Sequence, residues 1–135
     1  MTTAALPLAA RRWALGALAV VFGVATLIEG GHVLFGGPAA RAEAGSVVSF
    51  VLAFNFSAGF AYVLGGVATL LGRPRAVWIA RALALASLCV FAAFGLHVLL
   101  GGAYAQRTAV AMPLRAGFWV MQALLLPGAL IGRNS

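Results

Sequence analysis

The chain has 135 residues, of which 64% are hydrophobic and 8% charged, with a mean hydropathy of +1.07. A soluble domain carries about 25% charged residues, so this composition excludes an ordinary soluble fold. The net charge of +7 comes from nine arginines, with no lysine, against Glu29 and Glu43; no basic stripe with interleaved aromatics lies outside the apolar runs, which argues against a nucleic-acid partner.

Four runs are nearly free of charge, each long enough for a bilayer core of about 30 Å. They predict an all-α integral membrane protein, an antiparallel four-transmembrane-helix bundle forming a single membrane domain over 1–135. The helices are expected at about 13–35, 46–71, 76–100 and 114–131.

Met1 to Ala10 reads as a short tail containing Pro7. Arg11 and Arg12 then precede the first run, Trp13 to about Phe35. That run is longer than the apolar segment of a secretory signal, about 7–15 residues, so a cleaved leader is rejected even though Ala40-Arg41-Ala42 resembles a cleavage site. A twin-arginine signal is rejected on the same ground. Gly36-Gly37-Pro38 ends the helix, and a loop with Arg41 and Glu43 leads to Gly45.

The second run spans about Ser46 to Leu71, followed by a tight basic turn, Gly72-Arg73-Pro74-Arg75. A turn this short forces the flanking helices antiparallel. The third run extends from about Ala76 to Leu100, with Arg81 snorkelling to the near interface. Gly101-Gly102 ends it. A polar loop with Tyr104, Gln106, Arg107, Thr108 and Met112 follows, Pro113 falls in the first turn of the fourth run, and Pro127 kinks its last turn.

Arg11, Arg12, Arg73, Arg75, Arg81 and Arg133 fall on one side of the membrane. By the positive-inside rule both termini and the middle loop are cytoplasmic, and the first and third loops face the periplasm or exterior. The wealth of Ala and Arg points to a GC-rich bacterial genome, hence a cell inner membrane. Trp13 and Trp78 read as interfacial belt residues. Ser57, Ala61, Gly65 and Thr69 form a small-residue stripe suited to close helix packing. Cys89, the only cysteine, reads as a small packing residue and leaves no intrachain disulfide.

Depth then groups the polar residues. At about 1.5 Å per residue, Glu29 lies roughly 8 Å and His32 roughly 12 Å above the midplane on the outer side. Asn55 lies about 4–5 Å, His97 about 12 Å and Arg115 about 10 Å above it. Every helix thus brings a polar residue to the outer half. Thr26, Glu29 and His32 or Val33 share one face of the first helix, and Arg115, Trp119 and Gln122 share one face of the fourth. Charge on the lipid side costs a few kcal/mol, so these groups should point inward. Glu29 is expected to pair with Arg115, and His32 or His97 to hydrogen-bond the pair or Asn55.

The predicted ligand or proton site is therefore Glu29, His32, Asn55, His97 and Arg115. Each residue alone also has a structural role open to it: a Glu–Arg pair joins two helices, a histidine sits solvated near an interface, and an asparagine bonds across helices. Two histidines at equal depth would clamp a haem, and His32, His97 and Met112 would offer a copper or other metal site. Glu29-x-x-His32 has the spacing of carboxylate-bridged di-iron bundles, but the second motif and the two further glutamates are missing. No hydroxyl is placed as a nucleophile for Ser/His/acid catalysis.

Two other readings stand beside a site. Four helices, this length and one Glu in the first helix resemble the small multidrug resistance family in layout, which implies a proton-coupled transporter working as a homodimer. Glu29 nearer the outer interface and the one-sided arginines depart from that family. Short loops and no soluble domain also fit an accessory or scaffolding subunit of a larger membrane complex. The general layout is similar to that of many small four-helix bacterial membrane proteins, DoxX-like ones among them.

Overall fold

A computed structural model of the protein describes the backbone of residues 8–131 and the side chains of residues 9–128. Arg133 and the tail through Pro7 lie outside the described residues. The elements are α1 (Leu8–Phe35), the short α2 (Pro38–Ala44), α3 (Ser49–Leu70), α4 (Arg75–Leu99) and α5 (Gln106–Ile131). All but α2 are long and apolar enough to cross a membrane, the layout of a multi-pass membrane protein in contact with a lipid bilayer.

Two helices begin earlier than hydropathy predicts. α1 starts at Leu8 and runs through Arg11-Arg12; α5 starts at Gln106 rather than Leu114. Arginine and glutamine are good helix formers, so the charge that ends an apolar run does not end a helix. Met112 therefore sits in a helix rather than a loop, and Pro113 in a helix interior rather than a first turn. That proline withdraws one backbone bond, the one Ala109 would otherwise accept. The predicted loop before Gly45 holds α2, which Gly37 at φ 86° opens and Gly45 at φ 77° closes.

α1 lies against α3 and α5, and α4 against α3 and α5, so α1 and α4 stand diagonally across the bundle. Neighbours run antiparallel: Gly16 faces Gly66 and Leu70, Gly23 faces Tyr62 and Val63, and Gly30 faces Phe56. Those α1 glycines recur every seven residues, as do Gly59 and Gly66 on α3. A seven-residue period keeps one seam on one face through two turns. The approach is close. A Cβ on Gly66 would lie 2.6 Å from Val20 Cγ2 and 2.8 Å from the Gly16 carbonyl oxygen. One on Gly23 would lie 2.7 Å from Val63 Cγ2 and 2.9 Å from the Val63 nitrogen. In lipid, where apolar burial gives helices no reason to associate, such backbone contact supplies the packing energy.

The predicted stripe on this helix divides instead. Ser57 faces outward, Gly65 faces Ile79 and Trp119, and the Thr69 hydroxyl donates to its own helix at the Gly65 carbonyl, 2.7 Å away. The interior holds Leu15, Ala19, Ala58, Tyr62, Ala80, Trp119 and Leu126, while Ile28, Leu64, Leu85 and Leu124 point outward. Trp13 and Trp78 are outward too, and the Arg81 guanidinium lies over the Trp78 ring at 5.2 Å. Cys89 is exposed on α4, so it is not an interior packing residue.

Candidate functional site

At the end of the bundle where α1 finishes and α3 and α5 begin, the three helices stand apart around a cleft of about 240 Å³. Thr26 and Glu29 of α1, Asn55 of α3, and Arg107, Thr108 and Arg115 of α5 supply its polar wall. Helical spacing assembles it. Thr26 and Glu29 are three apart on α1, and Thr108, Met112 and Arg115 follow one stripe of α5.

Arg115 is the centre of the arrangement. Its residue is 7% exposed, and its Nη1 donates to Thr26 Oγ1 at 2.6 Å. Nη2 lies 3.9 Å from Glu29 Oε2, beyond hydrogen-bond reach. The guanidinium also sits 5.3 Å over the Phe22 ring, a cation–π contact that suits a charge withdrawn from water. Nε is buried with no partner among the described residues. A guanidinium has five N–H donors, and a single one makes a hydrogen bond among the described residues. The Glu29 side chain is 61% exposed at the cleft mouth, so the expected pair is a loose one with its acid end in solvent or headgroups.

Asn55 lines the same cleft. Its Nδ2 reaches Met112 Sδ at 3.8 Å, a weak acceptor, and its Oδ1 is buried without a partner among the described residues. Met112 is fully buried among Val48, Val51 and Phe94, so its thioether faces the core and Asn55. Of the five predicted residues, the structure thus brings Glu29, Asn55 and Arg115 to one cleft.

The two histidines go elsewhere. His32 Nε2 is 3.8 Å from Glu43 Oε2, with both side chains exposed, and Val33 rather than His32 faces the cleft. His97 Nε2 hydrogen-bonds the Ala103 carbonyl at 2.8 Å, and its ring meets Phe50 edge-on at 6.1 Å. Neither bonds the Glu29–Arg115 pair or Asn55, contrary to expectation. They sit on diagonally opposed helices, each with a local partner, His32 beside Glu43 and His97 on the Ala103 carbonyl. With Met112 turned to Asn55, the His32–His97–Met112 metal set is not assembled either. No three His, Cys, Asp or Glu side chains gather among the described residues.

Below Arg115 the same face of α5 continues inward. The Trp119 and Tyr62 rings stand 5.0 Å apart, and Gln122 Nε2 donates to the Leu15 carbonyl at 3.0 Å. Trp119, Tyr62 and Gln122 are all but fully buried. The predicted Arg115–Trp119–Gln122 face is therefore the face that α5 turns to α1 and α3. Thr26, Arg107 and Thr108 were not among the predicted site residues. Carrying the stripe of Arg115 back along a longer α5 would have reached Thr108 and Met112.

Around the cleft two arginines face one glutamate, which leaves the wall electropositive. A guanidinium with free N–H groups beside a hydroxyl and an amide can bind a planar oxyanion through parallel hydrogen bonds. No protein-family model, no curated protein and no solved structure matches this chain.

Proposed function

We propose that the protein is a multi-pass protein of a bacterial inner membrane that binds a small oxyanion, a carboxylate or its like, in the cleft between α1, α3 and α5. The observation that carries this reading is Arg115: a nearly buried guanidinium with one hydrogen bond, facing an open cleft. An ionised group inside a membrane bundle is costly to hold there, and such groups mark ligand paths. An oxyanion would complete its donors and neutralise the surplus charge from Arg107. Asn55 is placed to orient the ligand, and Glu29 at the mouth to receive an ammonium or hydroxyl on its far side. A cleft of about 240 Å³ has room for a small molecule.

Orientation follows from charge. Arg11, Arg12, Arg73, Arg75 and Arg81 sit at or near the end opposite the cleft, so the termini and the α3–α4 turn are cytoplasmic and the cleft opens outward. A cysteine replacing Glu43 should react with an impermeant maleimide added to intact cells, in a Cys89→Ala background, and one replacing Arg73 should react only after permeabilisation. The reverse pattern would place the cleft inside.

The binding test is thermal unfolding in mild detergent against a panel of small carboxylates, phosphate, sulfate and amino acids. A ligand at 100 times its Kd stabilises the folded state by about 2.7 kcal/mol. At least one oxyanion should raise the melting temperature of the wild type and fail to do so in Arg115→Lys, which keeps the charge and loses the fork. Equal stabilisation of both proteins, or of neither, rules the reading out.

A further inference from the structure

The opposite end of the bundle carries a second concavity, a groove of about 570 Å³ between α3 and α4 beside their connecting turn. Its floor is apolar. Leu64 and Val67 of α3 and Leu71, which caps it, form one stripe facing Ile79 of α4. Leu64 and Leu71 are each 65% exposed, which in a bilayer means open to acyl chains. Its mouth is basic, with Arg73 and Arg75 both lining it and both exposed.

The turn holds these two arginines on a fixed backbone. Gly72 takes φ 70°, a left-handed conformation that glycine adopts without strain. Its amide donates to the Thr69 carbonyl at 3.0 Å, and that of Arg73 to the Ala68 carbonyl at 2.9 Å, closing α3. Pro74 is locked at φ −59°, and the Ala76 amide donates to the Arg73 carbonyl at 3.1 Å, opening α4. One arginine therefore flanks the rigid proline on each side. A guanidinium pairs with phosphate through two parallel hydrogen bonds.

Charge selects among headgroups. The chain has two acidic residues, Glu29 and Glu43, and both belong to the other end of the bundle. Nothing acidic lines the groove to hold the ammonium of a zwitterionic headgroup. A second copy of the chain docking here symmetrically would bring four arginines together.

We propose that this groove binds an anionic phospholipid, its phosphate between Arg73 and Arg75 and one acyl chain along Leu64, Val67 and Leu71. The site is independent of the cleft around Arg115 and stands or falls separately from it.

The test is native mass spectrometry of the full chain in mild detergent with an equimolar mixture of phosphatidylglycerol and phosphatidylethanolamine. Phosphatidylglycerol should bind preferentially. Each basic residue near a membrane surface contributes about fivefold to anionic lipid affinity, so Arg73→Gln with Arg75→Gln should lower it roughly 25-fold and erase the preference. Arg11→Gln, at the same end but outside the groove, should keep the preference. Val67→Trp, which fills the groove and leaves the charge intact, should lower phosphatidylglycerol binding as well. Equal binding of both lipids by the wild type overturns the proposal. So does an Arg11→Gln loss equal to that of the double variant, which would mean diffuse charge attraction, or full binding by Val67→Trp. If the double variant does not fold, Val67→Trp and Arg11→Gln decide alone.

Discussion

α1 meets α3 across glycines and α5 across long polar side chains. Along the α3 seam Gly16, Gly23 and Gly30 leave the backbones in direct contact with Val63, Gly66 and their neighbours. Along the α5 side, Arg115 reaches Thr26 and Gln122 reaches the Leu15 carbonyl. Backbone contact leaves no space for anything else. Side chains that span a gap leave one, and where Gln122, Trp119 and Phe118 give way to Arg115 and the small Ala111 and Thr108, the gap becomes a cleft. This bundle thus has one interface closed by backbone contact and another that opens into a cleft with a polar wall.

The largest expected effect lies on the closed side. Gly66→Ala puts a methyl group against Val20 and the Gly16 carbonyl, neither of which can retreat without moving α1. Overpacking of this kind costs about 1–3 kcal/mol, read by unfolding in detergent. Gly95→Ala and Gly117→Ala, where a Cβ meets nothing within 4 Å, should gain about 0.5–1 kcal/mol from helix propensity. Similar values at all three positions would erase the contrast between the seams.

Effects on the open side are smaller. Arg115→Leu removes a charge-assisted hydrogen bond to Thr26, about 1.5–3 kcal/mol gross, but relieves the burial of unfilled donors, so the net loss should be near 1 kcal/mol. Gln122→Met removes the bond to the Leu15 carbonyl and also an unpartnered buried oxygen, and should stay within about 1 kcal/mol of wild type. Glu29→Gln should be the mildest, under about 1 kcal/mol, because the carboxylate is exposed and 3.9 Å from its partner. A loss above that of Gly66→Ala at any of these three would show that polar contacts, not the glycine seam, hold the bundle.

The sequence makes some of this contrast legible and hides the rest for identifiable reasons. Four spans and the Gly72–Arg75 turn follow from hydropathy and turn chemistry, and shared depth, opposite charge and the cost of facing lipid together point Glu29 toward Arg115. The start of α5 is hidden because Gln106 and Arg107 lower hydropathy while still favouring a helix, and with it goes the place of Met112. The glycine period is visible at Gly16, Gly23 and Gly30, yet which α3 stripe receives it depends on the partner surface, so Ser57 of the expected stripe faces outward while Gly59, outside that stripe, packs against Thr26 and Leu27. His97 is diverted by its own helix end. Gly101 at φ 84° turns the chain, the Gly102 amide returns to the His97 carbonyl at 2.9 Å, and Ala103 is thereby folded back onto the ring. Depth arguments place residues at a level but not around the bundle, which is why two histidines at equal height do not meet.

The most direct test of the oxyanion cleft is a nitrogen NMR spectrum of the protein in lipid nanodiscs, labelled at arginine and titrated with the oxyanion that stabilises it best. One guanidinium, identified by its disappearance in Arg115→Lys, should shift saturably as its unfilled N–H groups gain acceptors. Shifts confined to the other arginines, or a linear response without saturation, would contradict binding at Arg115.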